Sequence, residues 1–344
     1  MRNLFVVHTQ YNLILACGLA KTDFYKDRCD LILFQDFRPS EDTERRFRTC
    51  MNSVLILDGN WQKKSLSSKE KADKIKHDCR SISDFVGDVA YDRVFIVDDM
   101  CIQEMYVLKV THKKNKAIQM AWLEDGGIAY FDNGVVSGGM GATPVKRLIR
   151  KYTFSILYGL WGYYDLAPCM GGHKLLKAGY FTFPNSVRAE LADREHIEIS
   201  EKAFTAGMEV LYSANHFEFD AHSLLIAMDK LDVYGSDIDK VNRLISDTVK
   251  RANSEGRKIY YKYHPRESDR LPALDGETEL DRNIALESYL ANSNTKDITI
   301  IGIKSTSLQT AKKMGYETVS FIKSIEPDNK KVVRFYDDIG IECR

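Results

Sequence analysis

Short apolar runs alternate with longer amphipathic stretches from the first residue of the chain. Leu4–Val7 precedes a helical pattern over Tyr11–Ala20, and further apolar runs follow at Asp30–Phe34 and Ser53–Leu57. A charged helical stretch from Ser67 to Val86 leads to Arg93–Val97, and another from Gln103 leads to Ala117–Leu123. Short apolar runs bounded by polar residues read as strands buried on both faces. Their alternation with helices predicts a parallel sheet covered on both sides.

The pattern breaks from Gly126 to about Gly179. Glycines cluster at Gly138, Gly139, Gly141, Gly171 and Gly172, and an aromatic stretch runs from Tyr152 to Tyr164. Loops and helices are expected here, a lid-like insertion around residues 127–180. Alternation then resumes, with strands predicted at Ser223–Met228, Lys258–Tyr263, Ile298–Ile301 and Thr318–Ile322. Helices are predicted at Asp237–Asn253, Ile284–Ala291 and Leu308–Met314. The expected architecture is therefore α/β, with two doubly wound Rossmann-like domains (1–219 and 220–344) facing a central cleft. The extreme C-terminus is a candidate to pack back on the first domain. Ligands of such sheets bind beyond the carboxyl ends of the strands, so the polar residues just after the predicted strands are the ones to inspect.

Composition narrows the picture further. A chain of 344 residues suits two domains. Lys plus Arg and Asp plus Glu each total 49, giving zero net charge, which argues against a protein that coats nucleic acid. Sixteen Phe and eighteen Tyr against only seven Pro exclude a disordered chain. No apolar run approaches the roughly 18 residues of a membrane span. Leu4–Val7 is cut short by His8, Thr9, Gln10 and Asn12, so it reads as a strand rather than a signal peptide, and a cytoplasmic location is expected. The seven cysteines are odd in number, scattered and free of C-x-x-C pairs, which suggests neither a disulfide framework nor a zinc site. Cys169 and His173 lack the further nearby ligands that zinc requires.

Three polar turns follow predicted strands. Glu124-Asp125-Gly126-Gly127 places carboxylates at a sheet edge, where one can take a proton from an attacking hydroxyl; taken alone it also reads as an ordinary polar turn. In Lys262-Tyr263-His264-Pro265-Arg266-Glu267 the proline forces His264 into an extended conformation and aims the imidazole at a defined angle, where it can donate to a phosphate; taken alone it also reads as a satisfied histidine in a turn. Gly302-Ile303-Lys304-Ser305-Thr306-Ser307 puts three consecutive hydroxyls at the start of a helix, more than one N-cap requires and suited to an anion. An acidic turn in one half and imidazole and hydroxyl turns in the other match the division of labour in a two-domain glycosyltransferase. Asp98-Asp99 also follows a strand and reads as structural.

With these motifs the sequence resembles the bacterial sialyltransferases of the GT-B type. In motif it is nearest to the lipooligosaccharide sialyltransferases and the capsular polysialyltransferases. Those families carry an acidic-acidic-Gly motif, a His-Pro motif and a Ser/Thr-rich motif in this order, here Glu124-Asp125-Gly126, His264-Pro265 and Ser305-Thr306-Ser307. The resemblance implies transfer of sialic acid from CMP-sialic acid to a surface-glycan hydroxyl, in lipooligosaccharide or capsule, with inversion. Asp125 would be the general base, and His264 would help CMP depart. Gly302, Pro265, Ser305, Thr306 and Ser307 would hold the donor phosphate, with Asp229 and Lys230 contacting the nucleotide. Glu124, Gly126, Thr9 and Asn12 would lie on the acceptor side. The families often begin with Thr-Pro and a later Gln; here Thr9-Gln10-Tyr11-Asn12 keeps the threonine, lacks the proline and puts Asn12 in the Gln place. His8 beside it either faces the cleft or is structural. No metal or other cofactor is implied.

The same residues would also serve another cytidylyl donor, such as CMP-Kdo, another CMP-nonulosonate or CDP-glycerol. A non-catalytic sugar-binding protein is the alternative from a different class. The basic stretch Lys146-Arg147-Leu148-Ile149-Arg150-Lys151 reads either as a contact with an anionic glycan or the inner membrane surface, or as a solvated helix face.

Overall fold

The structure, a computed structural model, describes residues 1–37, 39–59, 66–131, 144–165, 167, 169–212, 217–264, 267–282 and 284–344, with backbone alone at 144, 146 and 147. Among these residues the chain divides into two compact units, Met1–Leu211 and Tyr212–Arg344.

The first unit is built on β1 (Arg2–Val7), β2 (Arg28–Gln35), β3 (Ser53–Asp58), β4 (Arg93–Ile96), β5 (Gln119–Leu123), β6 (Ala178–Phe181) and β7 (Glu195–Glu198). They form one sheet in the order β3-β2-β1-β4-β5-β6-β7, parallel at every pairing. Helices α1 (Gln10–Lys21), α2 (Glu41–Arg48), α3 (Ser68–Val86), α4 (Ile102–Lys114), α5 (Pro144–Leu157) and α6 (Glu201–Tyr212) make up the rest. The central strands are mostly apolar because helices cover both of their faces. Leu4, Phe5, Val6 and Val7 have no exposed surface, and the Phe5 and Phe95 rings stack at 4.5 Å. Strand order reverses between β1 and β4, which opens a crevice at their carboxyl ends.

The expected insertion contains a short 3-10 turn at Gly126–Ala129 and helix α5, and the sheet resumes at β6. Gly138, Gly139 and Gly141 lie outside the described residues. Asp99 pins part of this segment, accepting hydrogen bonds from the backbone N–H groups of Gly171 (3.1 Å) and His173 (2.7 Å). Burial, and then the Asp98 charge, push the Asp99 carboxyl up to about 7.

The second unit carries β8 (Ser223–Ala227), β9 (Ile259–Lys262), β10 (Thr278–Glu279), β11 (Ile298–Gly302), β12 (Glu317–Ser320) and β13 (Glu342–Cys343), ordered β10-β9-β8-β11-β12-β13 and again parallel. Its helices are α7 (Ile238–Ser254), α8 (Leu286–Ala291), α9 (Thr306–Lys313), α10 (Ile322–Ile325) and α11 (Lys330–Asp338). The unit begins earlier than the expected 219/220 boundary because residues before it pack on its own sheet. Asn292 donates to the carbonyl of Tyr212, and the Phe217 ring meets Tyr260 and Tyr289. At the chain end β13 pairs with β12, and the Arg344 N–H donates to the Ser320 carbonyl at 2.7 Å. No helix among the described residues is long and apolar enough to cross a membrane.

Candidate active site

In the first unit the polar groups gather where β1, β2, β4, β5 and β6 end. Asp125 stands two residues past β5. Gly126 after it has φ of 59°, a left-handed conformation that costs glycine little and a side chain much, so the acidic-Gly order is a backbone requirement of this turn. Asp125 is half-buried, and Asn12 Nδ2 donates to its Oδ1 at 3.1 Å. Burial raises its pKa above the ordinary carboxylate value, while the Asn12 hydrogen bond and the charge on His8 pull it back.

Asn12 owes its position to the start of α1. Thr9 is the N-cap; its Oγ1 accepts from the Asn12 N–H (3.2 Å), and Asn12 Oδ1 accepts from the Thr9 N–H (3.1 Å) and hydroxyl (2.7 Å). This is a reciprocal capping box. The amide Nδ2 that remains reaches the Glu124 carbonyl (3.2 Å) as well as Asp125. Thr9 and Asn12, expected on the acceptor side, are thus the residues that orient Asp125, and Asn12 has no exposed surface.

Glu124 is also fully buried. Its carboxylate accepts from the hydroxyls of Tyr11, Tyr130 and Thr182 and from the Thr182 N–H at 2.9 Å. Burial and the Glu124 charge hold both tyrosines well above their usual pKa, so they stay protonated donors. The expectation that Glu124 meets acceptor gives way to a carboxylate turned inward, which fastens β5, β6 and α1 together behind Asp125.

His8, after β1, is structural in the same sense. Nδ1 lies 3.1 Å from Asp36 Oδ2, Nε2 lies 2.7 Å from Glu104 Oε1, and the ring stacks on Phe34. Burial alone would lower its pKa, but the Glu104 charge and the hydrogen bonds to Asp36 and Glu104 prevail and raise it to about 10. His8 is therefore an imidazolium that donates from both nitrogens. Glu104 also accepts the N–H groups of Val97 (2.8 Å) and Asp98 (3.1 Å). His8, Cys101 and Glu104 bring ligand-type atoms within 4.8 Å of one another, and the short imidazole–carboxylate contact is that of an ion pair.

In the second unit Asp229, the His264 turn and the Ser305 turn follow the ends of β8, β9 and β11. Asp229 Oδ2 accepts from the Tyr234 hydroxyl (2.5 Å) and from the Lys304 N–H (3.1 Å), bridging the point where strand order reverses. Burial raises the Asp229 pKa, with the Tyr234 bond acting against it. Glu267 ties a second pair of turns, accepting the N–H of Leu231 (2.6 Å) and of Asp269 (2.8 Å). His264 is half-buried between them, its carbonyl accepting from the Glu267 N–H at 2.9 Å. Pro265 lies outside the described residues. Lys230 pairs with Asp232, and Lys304 pairs with Glu326. Ser305 is the N-cap of α9 and accepts from the Ser307 N–H at 3.3 Å. Thr306 and Ser307 fall inside the first turn rather than before it, and Thr306 is exposed. Gly302 is buried, and a side chain there would lie 2.8 Å from the Ala227 carbonyl, so it keeps β11 against β8.

Sequence reasoning missed Tyr11, Tyr130, Thr182, Asp36, Glu104 and Tyr234, and it placed Glu267 in the His264 turn without a role. Asp36 stands just past an apolar run, which is the signal that singled out the other turns. The rest reach the site from helices or distant loops and carry no such mark.

Two doubly wound units in one chain, each with polar turns at its strand ends, give the GT-B type of fold. The family model described as Alpha-2,8-polysialyltransferase (POLYST) matches residues 3–319; the chain belongs to that family and is a sialyltransferase. No curated protein matches the chain significantly. Among solved structures, the UDP-GlcNAc 2-epimerase from Methanocaldococcus jannaschii superposes with a TM-score of 0.53 at 11% identity, covering 98% of this chain and 92% of that one. This likeness carries the fold alone. The Escherichia coli heptosyltransferase WaaC gives a TM-score of 0.40 at 10% identity, over 93% and 88% of the two chains.

Proposed function

We propose that the enzyme moves sialic acid from CMP-sialic acid to a hydroxyl of a surface glycan, in lipooligosaccharide or capsule. Asp125 takes the acceptor proton as the acceptor oxygen forms its bond to the anomeric carbon. The bond from that carbon to the CMP phosphate oxygen breaks, and the electron pair leaves with CMP. His264 donates to the departing phosphate, supported by the N–H groups at the start of α9 and the hydroxyls of Ser305, Thr306 and Ser307. Asp229 and Lys230 contact the nucleotide. Displacement from the face opposite the leaving group inverts the anomeric carbon.

The observation that carries this reading is the state of Asp125. Its carboxylate is fixed by a single amide, and burial makes it a stronger base than a solvated aspartate. The test is release of CMP and formation of sialylated product, using acceptors that end in galactose or in sialic acid. Asp125→Asn is expected to lower turnover by about 10²–10⁴, and His264→Ala by about 10²–10³. Undiminished turnover in either variant would remove that residue from the mechanism.

A further inference from the structure

Among the described residues, exposed large apolar side chains concentrate in one segment of the first unit. Of the ten large hydrophobic side chains exposed among the described residues, seven fall between residues 145 and 161. Scattered exposed hydrophobics are ordinary, but a contiguous group marks an interaction surface. Val145, Leu148, Ile149, Tyr152 and Ile156 repeat at helical spacing along one face of α5, with Ile149 60% and Ile156 64% exposed. Trp161, 58% exposed, extends the strip past the helix end, its ring 5.9 Å from that of Tyr152.

Charge is just as uneven. Residues 144–157 contain Lys146, Arg147, Arg150 and Lys151 and no Asp or Glu, in a chain whose total is zero. Lys151 pairs with Asp165 at 2.8 Å, and Arg150 lies over the Phe154 ring. Lys76 and Arg80 of α3, both exposed, line a pocket with Leu157 and Tyr158, and one carboxylate, Asp84, joins them.

We infer that α5 and the turn after it dock the enzyme on an anionic lipid bilayer. The apolar strip enters the headgroup–acyl boundary, and the basic residues of the same segment meet lipid phosphates. Two other occupants fit less well. A polyanionic glycan would satisfy the cations and leave the apolar side chains without a partner. A second copy seated on the same face would bring like charges together.

The test is co-sedimentation of the full chain with vesicles of phosphatidylcholine plus phosphatidylglycerol, compared with phosphatidylcholine alone. Binding is expected on the anionic vesicles, declining with added salt, with a blue shift of tryptophan emission. Leu148→Gln with Ile156→Gln is expected to weaken partitioning at least about tenfold. Lys146→Gln with Arg147→Gln should weaken it about tenfold or more on anionic vesicles only. Thermal unfolding and circular dichroism matching the wild-type protein show that these surface variants remain folded. No binding to either vesicle overturns the inference, as does equal binding to both. Failure to bind vesicles, together with capture by polysialic acid or with a dimer that Leu148→Gln/Ile156→Gln breaks, overturns it in favour of the glycan or the second copy.

Discussion

Asn12 does two things with one side chain: its oxygen closes the capping box of α1, and its nitrogen holds Asp125. Replacing it with alanine removes both. Because the amide lowers the Asp125 pKa, its loss raises that pKa, so the acidic limb of the kcat/KM profile should move to higher pH. A rate profile of Asn12→Ala checks the direction, and a limb that stays in place would separate Asn12 from the base. His8 gives a prediction on stability. Its folded pKa of about 10 stands above its ordinary 6.5, so the ion cluster contributes fully below about pH 6.5. Above that the unfolded chain binds fewer protons than the folded one, and stability is lost as pH rises toward 10. Denaturant titrations should show this decline in the wild-type protein. His8→Gln should lack it and, with Asp36 and Glu104 deprived of their cationic partner, be weaker by about 3–5 kcal/mol near neutral pH.

At the level of elements, α1 and α6 touch backbone to backbone. A Cβ added at Gly18 would lie 2.0 Å from the Ala203 carbonyl, and one at Gly207 2.0 Å from that of Ile14. Neither neighbour is a movable side-chain end, so Gly18→Ala and Gly207→Ala should each destabilise by about 1–3 kcal/mol or more, read as a lowered thermal midpoint. The sequence pattern exposed the buried strands well, because β1, β2, β8 and β11 must be apolar on both faces. It did not reveal β6, which follows the glycine-rich stretch, nor β7, β10 or β13. β7 reads Glu-His-Ile-Glu and is only partly buried, and β10 and β13 are two residues each. Edge strands draw their pairing from the neighbour and need no hydrophobic run of their own. Helix α2 escaped for a related reason: Phe47 is its one buried residue among charged ones.

Across the whole molecule, the candidate site was legible as a set of turns and not as a network. The strand-end rule found Asp125, His264, Asp229 and the Ser305 turn, because that rule follows from topology. It could not show that Glu267 joins the His264 loop to Leu231, or that Glu124 faces inward, since those contacts link residues far apart in the chain. If the second unit holds the nucleotide, CMP should protect the folded enzyme by about 2.7 kcal/mol at a hundredfold excess over its Kd. A thermal shift with CMP that UMP or AMP does not reproduce would support the cytidylyl reading, and no shift with CMP would count against it. The doubled duty of Asn12 has a consequence for anyone evolving this protein. Glu is the commoner partner in such a helix start, yet Asn12 has no exposed surface, so Asn12→Glu would bury a second negative charge against Asp125. A change that suits the helix by rule would here cost the fold and the base together.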